Sequence, residues 1–211
     1  MKLPSVFIVG DSISIGYDPY LRKYLKGKFW YSRKLGTKET FWNPGTPMSA
    51  NGGDSSLVLK YLQNNHKHKE IPKVNYLLFN CGLHDIKTNP ITEKKQITIS
   101  RYRENLRLIL QKANKFTNYI VWVNSTPVND TWHNTRCKDF SRYNKDVLEY
   151  NCAAKKIMQK HKIPTIDLYS LTLKFGQNLY TDHIHFKKTI YQKLGRYIAF
   201  FLYKQHHLNI T

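Results

Sequence analysis

Short apolar runs that alternate with helical patterns set the strongest limit on what this chain can fold into. Four such runs are predicted strands, at about residues 5–10, 75–81, 118–125 and 163–168. Elsewhere apolar residues recur every three or four positions, as on the buried face of an amphipathic helix. This spacing predicts three helices, which cover about 99–113, 139–161 and 188–205. The alternation is typical of β–α units around a parallel sheet and predicts an α/β fold.

The length of the chain fits one domain. Its 211 residues are enough for one well-filled core. No linker rich in Ser, Gly or Pro and no internal repeat divides the sequence. We therefore expect a single domain over residues 1–211.

A serine follows the first predicted strand directly. The apolar run Val6–Val9 leads through Gly10 and Asp11 to Ser12. A strand, a glycine turn and a helix start would place the Ser12 hydroxyl at the carboxyl end of the strand, where active sites of open parallel sheets collect. Ser12 is a candidate nucleophile, and we expect Asp11 to cap or support its turn.

A candidate base lies near the other end of the chain, in Asp182-His183-Ile184-His185. If this segment forms one loop or helical turn, Asp182 lies close to His185 and holds one imidazole nitrogen, so the other nitrogen faces Ser12. His183 is less suited to be the base because this spacing points it elsewhere. A serine, a histidine and an orienting carboxylate are the parts of an acyl-transfer site.

Two further segments are predicted to end at the same edge of the sheet. Residues 51–56 (Asn-Gly-Gly-Asp-Ser-Ser) precede an amphipathic segment and would present backbone N–H groups at a helix start. Residues 75–85 (Asn-Tyr-Leu-Leu-Phe-Asn-Cys-Gly-Leu-His-Asp) form a buried strand that breaks into a turn.

In this order, the four motifs resemble the conserved blocks of the SGNH, or GDSL-type, hydrolase superfamily, from about residue 5 to about residue 200. The resemblance implies a three-layer α/β/α sandwich with a flavodoxin-like parallel sheet. It also implies that Ser12 is the nucleophile and that Asp182 and His185 complete the catalytic set. The backbone N–H groups of Ser12 and Gly53 would bind the oxyanion. The alternative for Gly53 is a role in helix entry only.

The third block departs from the family pattern. The family has Gly-x-Asn-Asp, and its asparagine amide is the third oxyanion donor, whereas Gly82-Leu83-His84-Asp85 places a histidine there. The His84 imidazole is a candidate third donor, and a structural histidine bonded to the backbone is the alternative. The variant is similar to one in SGNH proteins of carbohydrate-directed esterase type.

Loops above the sheet edge would supply the substrate contacts. The candidates are Asp11, Asp85, Trp132 and Arg136, although Asp85 is also suited to orienting its own turn. Aromatic and polar residues are interleaved in these loops, which suits sugar rings. Further candidates are Trp30, Tyr31, Arg33, Trp42 to Met48, Asn129 and His133.

The chain carries 34 Lys and Arg against 14 Asp and Glu, a formal net charge of +20. Such a surface attracts polyanions. An acylated small molecule or an acetylated glycan, including an acidic one, is the expected partner, and a generic basic surface is the alternative. The basic residues are spread along the chain and no nucleic-acid motif is present, so no nucleic-acid partner is expected.

No cofactor or metal is expected. His183 and His185 lack a Cys or carboxylate cluster to complete a ligand set, and serine chemistry needs no metal. The three cysteines, at positions 81, 137 and 152, form no close pair, which predicts reduced thiols.

The first strand follows Met1-Lys2-Leu3-Pro4 directly, which leaves no room for a signal peptide in the chain as given. No apolar run is long enough to span a bilayer. We expect a cytoplasmic or otherwise soluble protein. The oligomeric state stays open.

The sequence thus predicts a serine ester hydrolase that removes a short acyl group, with acetyl preferred, from a hydroxylated substrate such as a glycan. Three alternatives stay open. They are an O-acyltransferase with the same acyl-serine chemistry, a lysophospholipase or thioesterase, and a catalytically silent module that binds polyanions.

Overall fold

A five-stranded parallel sheet organises the chain in the computed structural model, which describes residues 3–35, 50–68, 71–117 and 119–210. The strands are β1 (Ser5–Val9), β2 (Trp30–Arg33), β3 (Tyr76–Phe79), β4 (Tyr119–Val123) and β5 (Thr165–Ile166). The helices of the described ranges are α1 (Ser12–Leu25), α2 (Ser55–His68), α3 (Ile99–Ala113), α4 (Asp130–Arg136), α5 (Asn144–Lys160), α6 (Leu168–Leu173) and α7 (Lys188–Ile210).

The strand order is β2-β1-β3-β4-β5, and every neighbouring pair is parallel. This is the flavodoxin-like order, which confirms the predicted fold class. β2 lies on one side of β1, and the later strands are added on the other side. β1 and β3 therefore flank the point where ligands bind in such sheets. The turns that follow these two strands carry Ser12 and His84.

Helices cover both faces of the sheet. Because crossovers between parallel strands are right-handed, α1 and the later helices that connect strands lie on opposite faces. α1 packs against α7, while α2 packs against α3 and α3 against α5. The two central strands are therefore covered on both sides, which explains why β3 is wholly buried and β1 is buried beyond Ser5.

Two glycines let α1 and α7 approach closely. A Cβ at Gly16 would lie 2.2 Å from the ring of Tyr191. A Cβ at Gly195 would lie 2.9 Å from the backbone nitrogen of Leu21. Since real Cβ atoms do not approach so closely, larger residues at these positions would force the helices apart. This packing holds α1, and with it Ser12, against the helix that follows the Asp182–His185 loop.

The sequence-based boundaries needed three corrections. Residues 30–33, expected in a loop, form edge strand β2, whose exposed and half-buried residues give no apolar run. α5 begins at Asn144 rather than near residue 139, because Tyr143 has extended backbone angles. The last strand is only Thr165–Ile166, since Asp167 caps α6.

Within the described residues, no helix is both long and apolar enough to cross a membrane.

Candidate active site

Ser12 is the first residue of α1, directly after the turn that leaves β1. The Asp11 carboxylate caps this helix and accepts a hydrogen bond from the Ile13 amide at 3.0 Å. The Ser14 hydroxyl donates to the Asp11 carbonyl at 2.6 Å and closes the same turn. Ser12 is only 7% exposed. The hydroxyl is therefore held on a rigid turn at the carboxyl edge of the sheet.

The structure brings His185 to Ser12 although 173 positions separate them. The Ser12 Oγ lies 3.0 Å from His185 Nε2, and His185 Nδ1 lies 2.7 Å from Asp182 Oδ2. The other carboxylate oxygen, Oδ1, accepts the backbone amides of Ile184 at 2.8 Å and His185 at 2.7 Å. The loop thus fixes the carboxylate, and the carboxylate fixes the imidazole.

The electrostatics of Asp182 suit this arrangement. Partial burial alone would raise the pKa of its carboxyl group, but the hydrogen bonds from the amides of His185 and Ile184 and from the His185 ring lower it overall. Asp182 is therefore ionised at neutral pH. An ionised carboxylate at Nδ1 places the ring proton there, so Nε2 accepts the hydrogen bond from the Ser12 hydroxyl.

The loop before α2 packs directly against the nucleophile turn. The Gly52 amide donates to the Gly10 carbonyl at 2.7 Å. The Gly53 amide donates to the side-chain oxygen of buried Asn51 at 2.8 Å. Gly53 has a φ of 71°, which favours glycine. The structure thus places Gly53 in this loop with its N–H already engaged, so an oxyanion would have to share that donor with Asn51.

His84 is buried beside the same loop. Its Nε2 lies 3.4 Å from the side-chain nitrogen of Asn51. Because the Asn51 oxygen accepts the Gly53 amide, its NH₂ group faces His84 and donates to Nε2, which leaves the proton on Nδ1. That buried Nδ1 has no hydrogen-bond partner among the described residues. Burial first, and then the charges of Lys87 and Arg142, lower the pKa of His84 to about 3, so the ring is neutral.

The sequence over nearly the whole of this fold matches one known family. The model of the GDSL-like lipase/acylhydrolase family matches residues 6–198. The chain belongs to this family. A comparison with curated proteins found no significant match.

Solved structures similar to this GDSL-family protein share its fold at low sequence identity. A lipase/acylhydrolase from Enterococcus faecalis is 16% identical, with 93% of this chain and 94% of that chain covered and a TM-score of 0.67. Axe2, an acetylxylan esterase from Geobacillus stearothermophilus, is 14% identical, with 92% of each chain covered and a TM-score of 0.63. Est24, a carbohydrate acetylesterase from Sinorhizobium meliloti, is 12% identical, with 96% of this chain and 99% of that chain covered and a TM-score of 0.63.

Two of the candidate substrate contacts in this GDSL-family protein are wrong. Asp85 is 0% exposed, and both of its carboxylate oxygens accept the Ser55 amide, at 3.0 and 3.1 Å. It ties the turn after β3 to the start of α2. Asp11 is also buried and caps α1. Neither carboxylate is accessible to a substrate, because each is used to hold a turn of the site.

The tryptophans expected to contact substrate lie in different parts of the fold, one at the amino ends of the strands and one on α4. Trp30 is 64% exposed but pairs with Ser5 at the amino ends of the strands, so it lies at the edge opposite Ser12. Trp132 and Arg136 lie on α4, with the guanidinium carbon 5.5 Å from the indole centroid. The same helix contacts the Asp182–His185 loop, since the rings of His133 and His183 are 4.6 Å apart.

The other candidate contacts have structural roles or lie outside the described residues. The Tyr31 hydroxyl donates to Asp18, and Asn129 caps α4 by accepting the Trp132 amide at 3.0 Å. His133 is 0% exposed. The segment from Trp42 to Met48 lies outside the described residues. Within the described ranges no group of three or more His, Cys, Asp or Glu side chains is placed to hold a metal ion.

A buried arginine, Arg33, supports the nucleophile turn, whereas its sequence position had indicated only a substrate contact. The Arg33 guanidinium donates to the Ser14 carbonyl and the Ser14 hydroxyl, each at 3.0 Å, and to the Ala50 carbonyl at 3.1 Å. Asp18 lies 3.4 Å away and balances its charge. Arg33 thus joins α1 to the loop that contains Gly53, a role that no feature of the sequence indicated.

The buried Asp85 carboxyl should make stability depend on pH. Burial raises its pKa to about 7, although hydrogen bonds from Ser55 oppose this. In the unfolded chain the pKa is about 3.9. The folded state therefore binds a proton that the unfolded state has released, and the stabilisation present below about pH 4 is lost as the pH rises to about 7. Asp85→Asn, which keeps one acceptor for Ser55, removes this dependence.

Thermal denaturation between pH 4 and pH 8 measures the effect. The Tm of the wild type minus the Tm of Asp85→Asn should fall as the pH rises and level off above about pH 7. The exposed residue Asp139 offers a matched control, Asp139→Asn. A difference between wild type and Asp85→Asn that is constant across the range contradicts the assignment.

Proposed function

We propose that this GDSL-family protein is a serine ester hydrolase that removes a short acyl group, with acetyl preferred, from a hydroxylated substrate such as a glycan. The observation that carries the proposal is the hydrogen-bonded line from Ser12 through His185 to Asp182. The choice of an acetylated glycan follows the activities named for two proteins of the same fold, Axe2 and Est24.

The first step is attack by the serine. The Ser12 hydroxyl donates to His185 Nε2, so the proton passes to the imidazole as Oγ bonds to the ester carbon. The ring then carries a positive charge next to the Asp182 carboxylate, 2.7 Å from Nδ1. This pairing stabilises the imidazolium and keeps Nε2 directed at the reacting atoms.

Three donors are available for the oxyanion in this proposal. The Ser12 amide has no partner within α1, because the first N–H groups of a helix lack one, and it lies at the positive end of the helix dipole. The Gly53 amide contributes by sharing its hydrogen with Asn51. The neutral His84 ring contributes its Nδ1–H, which has no other partner among the described residues. Together they stabilise the charge that develops in the transition state.

The remaining steps use the same residues, with His185 acting first as an acid and then again as a base. His185 returns the proton to the leaving alcohol, and the acyl group remains on Ser12 Oγ. A water molecule next gives its proton to Nε2 and attacks the acyl carbon. Collapse of the second tetrahedral intermediate releases the carboxylic acid and restores the Ser12 hydroxyl.

Removal of the His84 donor should lower the rate more than the affinity. We expect His84→Ala to reduce kcat about 10²- to 10³-fold with little change in KM, because the donor acts on the transition state. His84→Asn restores an amide donor and should keep most of the activity. Steady-state kinetics on p-nitrophenyl acetate, with the Tm of each variant as a folding control, measures this. A fully active His84→Ala variant excludes the role.

The acyl specificity is tested with p-nitrophenyl esters from acetate to dodecanoate. We expect the highest kcat/KM for acetate, a steep fall with chain length, and loss of all cleavage in Ser12→Ala. A rate that rises with chain length contradicts the short-acyl assignment and favours a lysophospholipase or thioesterase. Absence of any Ser12-dependent cleavage contradicts ester hydrolysis itself.

A further inference from the structure

A cluster of three cations lies beside the candidate active site. This cationic cluster consists of Lys87, Arg136 and Arg142. The Lys87 Nζ and the Arg142 guanidinium carbon lie 4.5 and 4.7 Å from the ring centroid of Phe140, and Arg136 stacks on Trp132 at 5.5 Å. Among the described residues, none of the three has an acidic group within 4.0 Å. No described ion pair balances these charges, although the Asp11 carboxylate acts on Arg142 from a longer distance.

The cationic cluster is built onto the two motifs that surround Ser12. The Arg142 Nε donates to the Leu83 carbonyl at 2.7 Å, in the turn that presents His84. On the other side, the His133 ring lies 5.4 Å from the Phe140 ring and 4.6 Å from the ring of His183. His183 is the neighbour of Asp182 in the loop that holds His185. The cluster thus connects the turn after β3 to that loop.

Arg142 is buried with most of its hydrogen-bonding capacity unused. Arg142 is only 5% exposed. Its Nε donates to Leu83, but its two terminal nitrogens make no hydrogen bond to a described residue. Burial lowers its pKa to about 10, so the group is still charged at neutral pH. Burial raises the pKa of Asp11, and the charge of Arg142 opposes this rise. The same charge adds to the lowering of the pKa of His84 and His183 that burial causes, which places Arg142 among the groups of the site.

A buried guanidinium whose terminal nitrogens lack hydrogen-bond partners is unfavourable unless a ligand or water supplies them. The planar fork of arginine matches the two oxygens of a carboxylate. Lys87, over the same Phe140 ring, and Arg136, whose charge acts on His183 as that of Arg142 does, would add attraction.

We propose that Arg142, assisted by Arg136 and Lys87, binds a carboxylate on the acylated substrate, so that the preferred substrates are acetyl esters of acidic sugars. The inference rests on the proposed ester hydrolysis and names its substrate class. The net charge of +20 would further favour the encounter with an acidic glycan.

Three matched substrates test the proposal: the mono-O-acetylated methyl glycoside of glucuronic acid, its uncharged methyl ester, and the corresponding acetylated glucoside. At low ionic strength we expect kcat/KM of the wild type to favour the acid over the methyl ester about ten- to a hundredfold, since a charge-assisted hydrogen bond is worth that much. The preference should lie mainly in KM and should decrease with added salt.

Substitutions assign the preference to the cluster. Arg142→Gln should bring the ratio of acid to methyl ester close to one, and Arg136→Gln should lower it several-fold. Arg107→Gln removes the same charge from an exposed position on α3 and should leave the ratio unchanged. Because Arg142 also holds the Leu83 carbonyl, Arg142→Gln is checked by its Tm, and Arg136→Gln gives a test that does not depend on that contact.

The outcomes separate this proposal from the proposed function. A wild-type ratio near one, a ratio kept by both cluster variants, or cleavage of p-nitrophenyl acetate without cleavage of any sugar ester overturns the carboxylate subsite alone. If the wild type cleaves neither p-nitrophenyl acetate nor the sugar esters in a Ser12-dependent way, the proposed hydrolysis fails and the subsite fails with it.

Discussion

Ser12→Ala should lower kcat for p-nitrophenyl acetate by about a million-fold, which is the scale seen when a serine hydrolase loses its nucleophile. The physical reason is that His185 Nε2, 3.0 Å from Oγ, then has no hydroxyl to deprotonate. The turn itself should persist, because Asp11 and Ser14 hold it through bonds that do not involve the Ser12 side chain. The Tm should therefore stay within a few degrees of the wild type.

Ser100→Ala is the matched control for this substitution. Ser100 is exposed on α3, and alanine is a good helix former at that position. We expect its kcat and KM to equal those of the wild type. Cleavage that persists at a wild-type rate in Ser12→Ala would mean that another residue, or the buffer, attacks the ester.

Asp182→Asn should lower kcat by about 10⁴-fold while the protein remains folded. The amides of Ile184 and His185 hold one side-chain oxygen at 2.8 and 2.7 Å, so the new amide keeps its oxygen there. Its NH₂ group then occupies the place of Oδ2, next to His185 Nδ1. A donor at Nδ1 moves the ring proton to Nε2, which can no longer accept the proton of Ser12.

Asp167→Asn tests whether the effect belongs to the site. Asp167 makes similar contacts at the start of α6, where its carboxylate accepts the Ser170 amide at 2.9 Å. Its substitution should change stability slightly and leave kcat unchanged. Kinetics measured with both variants separate the two roles. A loss of less than tenfold in Asp182→Asn would contradict the claim that Asp182 fixes the tautomer of His185.

The sequence was sufficient to predict the centre of the fold and the residues that meet there. β1 and β3 are buried on both faces, so their sequences are continuous apolar runs that stand out. The carboxyl ends of parallel strands meet at one edge, which brings Ser12 and His84 into the same region. The spacing of Asp182 and His185 predicted a pair within one loop, and they lie 2.7 Å apart.

Features that depend on tertiary burial could not be predicted in this way. Edge strand β2 is only partly covered, so it has no apolar run, and the role of Arg33 inside the molecule was hidden with it. Asp85 was expected to contact substrate because carboxylates are usually exposed, yet both of its oxygens accept the Ser55 amide inside the molecule. The bond between Gly53 and Asn51 depends on a backbone turn whose geometry two glycines do not specify.

Reaction with a fluorophosphonate, followed by mass spectrometry of the labelled peptide, shows whether the Ser12 hydroxyl is activated by His185. The reagent phosphonylates a serine only where a base activates its hydroxyl. We expect one adduct on Ser12 in the wild type, none in Ser12→Ala and much slower labelling in Asp182→Asn. A folded wild-type protein that is not labelled, or that is labelled at another residue instead, would contradict the role of Ser12 as the nucleophile.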